Sequence, residues 1–533
     1  MSEQQTEPQN RFRRLISAWR GIFRQKDDDL AAVRALIAGS DRHVLARLLA
    51  YTASPDAPVA NAAAAGIAEI LGCQTPRQRV ATDEQMRDHF YLSNGEARHW
   101  TRITPAYVPR FRGSGEHAFM VLGVASMHPN GHVREAAVRE LDASSGGELP
   151  YLLVRLNDWV EPVRRRAREA VRRRLTPEYA PRFVRDLWLV ERLAECGRDD
   201  HESLVEAVHS LLVTRGRGAL LAGLEAPDRW LRRTCYRLLL EPPGREAPEV
   251  VLRALADEDN IVRLRGVRWG AVLLEPQQLL ELLPALLRDP FARVREDALR
   301  LLSERAPDRA ESALWGALLD PNATVRDMAR RILARNGQAD FVDVYRGALG
   351  RETIPALHGL AETGRAEDAA LVEPFLTASA PRVRRAAVAA LGRLAPDASV
   401  PHLVRALEDG SAGVSRVARI ALAPRAGSVG AEALWRLTTA GGAEHVRVNA
   451  LLLLAALAKW ESIAWLVCAQ AHPDPAVSER ARRLVTRWID RFNRSGSQPT
   501  REQIERAARA VDDAAPMLGT EHVKTLRFLM KGY

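Results

Sequence analysis

Residues 386–422 read AAVAALGRLAPDASVPHLVRALEDGSAGVSRVARIAL and contain the pattern that the rest of the chain repeats. The stretch holds the end of one helical hairpin, a short break, and most of the next hairpin. Val383, just before it, is followed by the small Ala387 after four residues and by Leu391 after eight. Residues four apart lie on one face of an α-helix, so these side chains predict a buried stripe.

The same stripe recurs at a spacing of about 31 residues. The residue four positions later is small in every copy, as close packing of two helices requires. Weaker copies at Leu204 and Ile354 fill the two large gaps. A hairpin of this length cannot bury its apolar face alone, so the repeats predict an all-α array of stacked antiparallel hairpins. The stripe begins at Val133, Val163, Leu231, Val262, Val294, Val325, Val383, Val414, Val446 and Val477.

Two polar positions accompany the stripe. An aspartate five residues before it, at Asp158, Asp257, Asp289, Asp320 and Asp409, is expected to cap the coming helix. An arginine follows the first stripe residue and lies beside the core, where it can meet an aspartate of a neighbouring turn. We interpret this series as a structural ladder between repeats: Arg134, Arg164, Arg232, Arg263, Arg295, Arg326, Arg384 and Arg447.

The combination of Asp, Val-Arg, a small residue and Leu resembles the HEAT repeat, in the short form first described in phycobilisome lyases. The resemblance covers about residues 131–488 and, more weakly, 27–73. It implies a right-handed α-solenoid, or superhelix. Proteins of this kind mostly bind other proteins, and a few are enzymes.

The repeats set the expected domain organisation. Residues 1–27 are predicted to form a basic amphipathic helix that caps the open end of the solenoid; contact of residues 11–26 with an anionic membrane is the alternative. The other predicted segments are early repeats at 28–75, an irregular insertion or degenerate repeat at 76–115, the HEAT-like array at 116–494, and a linker with a C-terminal capping helix at 495–533.

The formal net charge is +10, and only Lys26, Lys459, Lys524 and Lys531 are lysines. This charge is compatible with an anionic partner, but arginines on salt-bridged helix faces also account for it. A second arginine series lies six residues after the stripe, on the face that usually lines the concave surface of HEAT arrays. Its members are Arg139, Arg237, Arg268, Arg300, Arg331 and Arg483; the four in successive repeats, Arg237, Arg268, Arg300 and Arg331, predict a basic track, with a solvated face neutralised by nearby acids as the alternative.

The helix predicted at 161–175, EPVRRRAREAVRRRL, is the densest basic segment. Its exposed arginines, Arg165, Arg168 and Arg172 among them, are candidates for contact with nucleic acid or an acidic partner. A solubilising helix is the alternative.

Sequence support for catalysis is lacking. We find no phosphate-cradling glycine loop, nucleophile elbow or paired-carboxylate motif, and the histidines do not share ligand spacing, so we predict no metal and no cofactor. The four cysteines form no CxxC pair, and no apolar run has the roughly 20 residues that span a bilayer. A cytoplasmic location is expected.

These patterns predict a non-catalytic HEAT-repeat scaffold that binds another protein, through an acidic segment, along its concave face. The first alternative is a nucleic-acid-binding solenoid that uses the arginine track. The second is a lyase- or glycosylase-like HEAT enzyme.

Overall fold

The computed structural model describes residues 29–39, 44–88, 103–242, 248–338, 340–494 and 496–531. Within these ranges the chain contains helices and no β-strand. It divides into two compact units, unit 1 up to Glu275 and unit 2 from Pro276. The predicted all-α solenoid class is confirmed.

Unit 1 consists of short helices joined by tight turns. In its hairpins α5 packs against α6, α7 against α8, α12 against α13 and α14 against α15, while α6 also packs against α8. Its α-helices are α1 (29–38), α2 (Val44–Tyr51), α3 (Ala57–Gly72), α4 (Pro76–Asp88), α5 (Ala118–Ala125), α6 (Gly131–Asp142), α7 (Leu149–Arg155), α8 (Glu161–Arg173), α9 (Ala180–Arg185), α10 (Leu187–Arg192), α11 (Glu202–Thr214), α12 (Arg217–Gly223), α13 (Arg229–Leu240), α14 (Pro248–Leu255) and α15 (Asn260–Leu273).

Unit 2 is built in the same way. The second helices of successive hairpins stack, with α17 on α19, α21 on α23, α23 on α25, α25 on α28 and α28 on α30. Its α-helices are α16 (Pro276–Leu286), α17 (Ala292–Arg305), α18 (Pro307–Ala317), α19 (Ala323–Arg335), α20 (Val342–Ala348), α21 (Thr353–Thr363), α22 (Ala369–Val372), α23 (Pro381–Leu394), α24 (Val400–Leu407), α25 (Ala412–Leu422), α26 (Ala426–Val429), α27 (Ala431–Thr439), α28 (Glu444–Leu454), α29 (Lys459–Cys468), α30 (Pro475–Asp490), α31 (Arg501–Leu518) and α32 (Thr520–Met530).

The predicted stripe forms the core of these hairpins. Eight of its ten first residues are buried, and Leu231 and Val383 are half-buried. The small residue four positions later is buried in all ten copies. Gly266 shows why it must be small, because a Cβ there would lie 3.1 Å from the backbone nitrogen of Leu255 on the paired helix.

The ends of the array differ in detail from the prediction. The predicted helix at 1–27 and the membrane contact of 11–26 lie outside the described residues. The segment 76–115 contains α4 and a 3-10 helix, Val108–His117, with 89–102 outside the described residues. At the other end the structure has two helices, α31 and α32, where one was predicted. They are separated at Gly519, whose φ of +75° favours glycine.

An aromatic cluster connects α29, α30 and the start of the C-terminal segment. Lys459 Nζ lies 3.6 Å from the ring centroid of Phe492 and donates a hydrogen bond to its carbonyl (2.8 Å). The rings of Trp460 and Trp488 lie around the same ammonium, at 5.1 and 5.8 Å. Trp460 Nε1 donates to the carbonyl of Ser497 (2.8 Å), so the cluster holds the chain after α30 against α29.

Candidate interaction surfaces

Arg295 shows the geometry of the arginine series that directly follows the stripe. Its Nη1 donates to the carbonyls of Asp289 and Pro290 (2.7 and 3.3 Å), in the turn before its own helix. Its Nε and Nη2 donate to the two carboxylate oxygens of Asp320 in the next turn (2.8 and 2.7 Å). The planar guanidinium fits a carboxylate in this bidentate way, so one side chain joins two consecutive turns.

The other arginines of this series make related contacts. Arg384 binds Asp409 in the same bidentate way (2.7 and 2.9 Å). Where the next turn offers no aspartate, Arg326 pairs with Glu362 on α21 instead. The remaining contacts are Arg134 with Asp158, Arg164 with Asp199, Arg232 with Asp257 and Glu258, Arg263 with the carbonyls of Asp257 and Glu258, and Arg447 with Asp474.

The aspartates before the stripe do not cap the helices as predicted. Asp289 Oδ1 accepts from the backbone N–H of Phe291 (2.7 Å), and Phe291, not Asp289, is the N-cap of α17. Asp320 accepts from Asn322 (2.7 Å) in the same way. Each aspartate therefore accepts from the backbone N–H two residues later and closes the turn that precedes the helix. This hydrogen bond also holds the carboxylate toward the incoming arginine.

The first ladder contact belongs to a buried ionic network in unit 1. Arg134 and Asp158 side chains are both 0% exposed, and Arg134 donates to both carboxylate oxygens (2.9 and 2.8 Å). Arg155 lies 3.1 Å from Asp158 and pairs with Asp83 on α4. Burial acts to raise the pKa of Asp158, but the hydrogen bonds from Arg134 and the charge of Arg155 outweigh it and hold the pKa below its usual value.

The predicted basic track falls into two parts, because Arg237 and Arg268 belong to unit 1 and Arg300 and Arg331 to unit 2. Arg237 pairs with Glu191 (2.8 Å) and Arg300 with Glu304 (3.0 Å), and Arg331 pairs with Asp327 (3.1 Å). Arg268 is exposed. Arg237, Arg300 and Arg331 are thus each matched by a carboxylate. That these arginines bind a partner stays a prediction.

Helix α8, the predicted basic helix, is likewise tied to its surroundings. Arg165 lies 3.9 Å from Glu161, one turn earlier. Arg168 pairs with Asp199 and donates to the carbonyl of Asp200 (3.3 Å). Arg172 is exposed. A role of helix α8 in binding a partner also stays a prediction.

A further set of arginines, which shares Arg483 with the series six residues after the stripe, lies on α30 and the short 3-10 turn after it. They occur at intervals of three or four residues, which places them within about 80° of one another around the helix axis. All five are exposed, and four of them line a surface groove of about 460 Å³. Among the residues that the structure describes, no carboxylate lies within 4.0 Å of their side chains. We call this set the arginine face: Arg480, Arg483, Arg487, Arg491 and Arg494.

The positive field of the arginine face extends to α25. Arg419 on that helix donates to Asn449 Oδ1 (3.1 Å) instead of pairing with an acid. Burial lowers the pKa of Arg419, and the charges of Arg416 and Arg480 lower it further. Ile420, next to them, is 53% exposed. This part of unit 2 therefore combines unbalanced positive charge with an exposed apolar side chain.

Neither a metal-binding cluster nor a membrane-spanning helix occurs within the described ranges. In them no group of three or more His, Cys, Asp or Glu side chains is placed to hold a metal ion. His128 Nδ1 accepts a hydrogen bond from the N–H of Asn130 (3.0 Å). No described helix combines the length and apolarity needed to cross a bilayer.

The stacked hairpins and the arginine contacts between their turns place the chain in the class of HEAT-type α-solenoids. Residues 383–409 match the family model of the PBS lyase HEAT-like repeat, so the resemblance predicted from the sequence is confirmed. A comparison with curated protein sequences gave no significant match.

Solved structures similar to the chain are large helical repeat proteins. The chain is 14% identical to importin beta, over 99% of this chain and 80% of that one, with a TM-score of 0.37. For the S. pombe condensin Cnd3-Cnd2 subcomplex the identity is 13%, the shares are 94% and 84%, and the TM-score is 0.32. For yeast importin-beta, Kap95p, the values are 15%, 92%, 66% and 0.29.

Proposed function

We propose that the chain is a scaffold that binds an acidic segment of a partner protein, and that the arginine face is the central contact. The observation that carries this proposal is the charge balance of α30. Helix α30 and the turn after it, residues 475–494, contain six arginines and two acids, Glu479 and Asp490. The exposed arginines in the two parts of the predicted track are matched instead by acids such as Glu304 and Asp327.

The dimensions fit a short peptide segment. From Arg480 to Arg491 the helix rises by about 16 Å at 1.5 Å per residue. An extended segment spans that distance with about five residues at 3.3 Å each. Carboxylates on such a segment would form charge-assisted hydrogen bonds with guanidinium groups, which are the stronger kind in proteins.

The exposed Ile420 favours a protein partner over nucleic acid. It lies on α25 beside Arg416 and Arg419, so one surface offers both cations and an apolar contact. A peptide that alternates acidic and apolar side chains can use both. A phosphate backbone can use only the arginines, and nucleic-acid binding is therefore the alternative that the experiment must separate.

The experiment compares two double variants of equal charge change. Arg483→Glu with Arg487→Glu alters the arginine face, and Arg300→Glu with Arg331→Glu alters the acid-matched track in the same unit. Fluorescence anisotropy of a labelled peptide, EDLEELDE, measures binding at two salt concentrations. A glutamine-substituted peptide controls for charge, and a labelled 20-nucleotide single-stranded DNA tests the alternative.

We expect the arginine-face variant to weaken peptide binding at least tenfold, since loss of one contact to a charged group costs about 1.5–3 kcal/mol. The track variant should change it less than twofold. Equal losses in both variants, or no binding of the acidic peptide, would refute the proposal. If only the DNA binds, and if the salt dependence of its binding is smaller for the arginine-face variant, then the arginine face is a nucleic-acid site instead.

A further inference from the structure

A cavity in unit 1 lies where the repeat pattern lapses. It has a volume of about 530 Å³ and is lined by the α3–α4 turn, α4, α5, the turn before α7, α7 and the end of α9. This volume is within the range of small-molecule sites, about 300–1,000 Å³. The helix α4, in the segment predicted as an insertion or degenerate repeat, supplies Arg79 to its wall. The cavity is distant in sequence from the arginine face and belongs to the other unit.

The polar wall of the cavity carries excess positive charge. Arg185 Nη2 lies 3.1 Å and Arg79 Nη1 3.8 Å from the carboxylate of Asp186. Two guanidinium groups thus share one carboxylate. Asp186 is 1% exposed, and burial raises its pKa despite both arginines. One carboxylate can balance only one of the two guanidinium charges.

Two buried polar atoms on the same wall have no hydrogen-bond partner within the described part of the chain. They are the Nε donor of Arg79 and the Oε1 acceptor of Gln74. Gln74 is oriented by its own amide, which donates to Thr82 Oγ1 (3.1 Å). A buried donor or acceptor without a partner costs about 1–3 kcal/mol, so a molecule that satisfies both atoms would bind with that gain.

Part of the lining is apolar. Phe119 and Met120 on α5 line it together with Pro76. The ring of Phe119 packs directly on Gly147, and a Cβ at that glycine would overlap the ring. The absence of a side chain at Gly147 therefore allows the Phe119 ring to take its position in the lining.

From these features we propose that the cavity binds a small organic anion with an apolar body and a hydrogen-bond donor near its charge. The negative group faces Arg79 and Arg185. The donor reaches Gln74 Oε1, and the apolar body lies on Phe119 and Met120. A carboxylate and a phosphate ester satisfy the same chemistry, and the experiment distinguishes them.

Isothermal titration calorimetry with the full chain tests the site. The probes are N-acetyl-L-phenylalanine, which carries a carboxylate, an amide donor and a phenyl ring, its uncharged carboxamide, and phenyl phosphate. We expect the carboxylate or the phosphate to bind at least tenfold more tightly than the carboxamide. Binding of the acid and the carboxamide with equal affinity, or of neither anion, would overturn the proposal.

Three variants locate the binding. Arg185→Gln changes a side chain that is 58% exposed, so folding should be unaffected, and we expect a tenfold or greater loss of anion affinity. Gly147→Ala should cause a similar loss because the added Cβ displaces the Phe119 ring, which lines the cavity. Arg77→Gln is the matched control, since Arg77 is exposed and contacts Trp188 outside the cavity. A loss in Arg77→Gln as large as in Arg185→Gln would show that general charge attraction, not this cavity, holds the anion.

Discussion

Replacing Asp158 with asparagine should destabilise unit 1 more than any other single change in the arginine ladder. The amide keeps the size of the side chain but removes one of two carboxylates that balance Arg134 and Arg155. Because the Arg134 and Asp158 side chains are 0% exposed, water cannot replace the lost charge. Arg155 keeps Asp83 as a partner, so the main loss is at Arg134.

The magnitude follows from this burial. Removing one partner of a buried ion pair costs about 3–5 kcal/mol. For a unit of this size, about 2–4 °C of Tm is lost per kcal/mol, so the thermal transition of unit 1 should fall by about 6–20 °C. Circular dichroism measures the shift, and hydrogen exchange in α6 and α8 shows whether it begins at the broken contact.

Asp327→Asn is the matched control. Asp327 pairs with Arg331 one turn later on an exposed helix face, with side chains 53% and 62% exposed. Exposed pairs of this kind contribute about 0.3–0.5 kcal/mol. A shift for Asp158→Asn no larger than for Asp327→Asn would refute the reasoning that the ladder is a buried, energetically coupled contact.

The remaining predictions concern pH, helix packing and the aromatic cluster. Because the folded-state pKa of Asp158 lies below its unfolded value, its contribution is present above the usual aspartate pKa of about 3.9 and is lost as the pH falls through the folded pKa. The Tm difference between wild type and Asp158→Asn should therefore be constant from pH 5 to 8 and shrink below about pH 4. Gly266→Ala should destabilise by about 1–3 kcal/mol through overpacking, whereas Gly316→Ala, at an open helix position, should be neutral or stabilise by up to about 1 kcal/mol; equal effects in urea denaturation would contradict this. Lys459→Met should cost about 1–3 kcal/mol through loss of the contact with Phe492, and the exposed Lys524→Met should change the Tm little.

The hairpin architecture and the identity of the ladder arginines followed from sequence because both depend on spacing along one helix. Small residues at Ala387 and Gly266 recur four positions after the stripe, and this spacing fixes the face that they occupy. The role of the aspartates was harder to predict. An aspartate before a helix can cap it or close the preceding turn. Asp320 closes the turn, and its carboxylate also accepts a hydrogen bond from Arg295, which lies 25 residues earlier in the chain.

The position of an arginine within the repeat does not predict whether nearby acids balance its charge. The series six residues after the stripe was identified from the frequency of arginine, but the field of a surface depends on arginines and acids together. Arg300 and Arg331 pair with Glu304 and Asp327, which lie four residues away on the same helices. Pairs with this spacing can be predicted from the sequence. Net charge per helix would not have singled out α30 either, because α13 and α23 each contain four arginines and no acid, whereas α30 contains four arginines and two acids. The contribution of Arg416 and Arg419 could not have been found in that way. They reach the same surface from α25, about 60 residues earlier, and only the stacking of α25, α28 and α30 places them there.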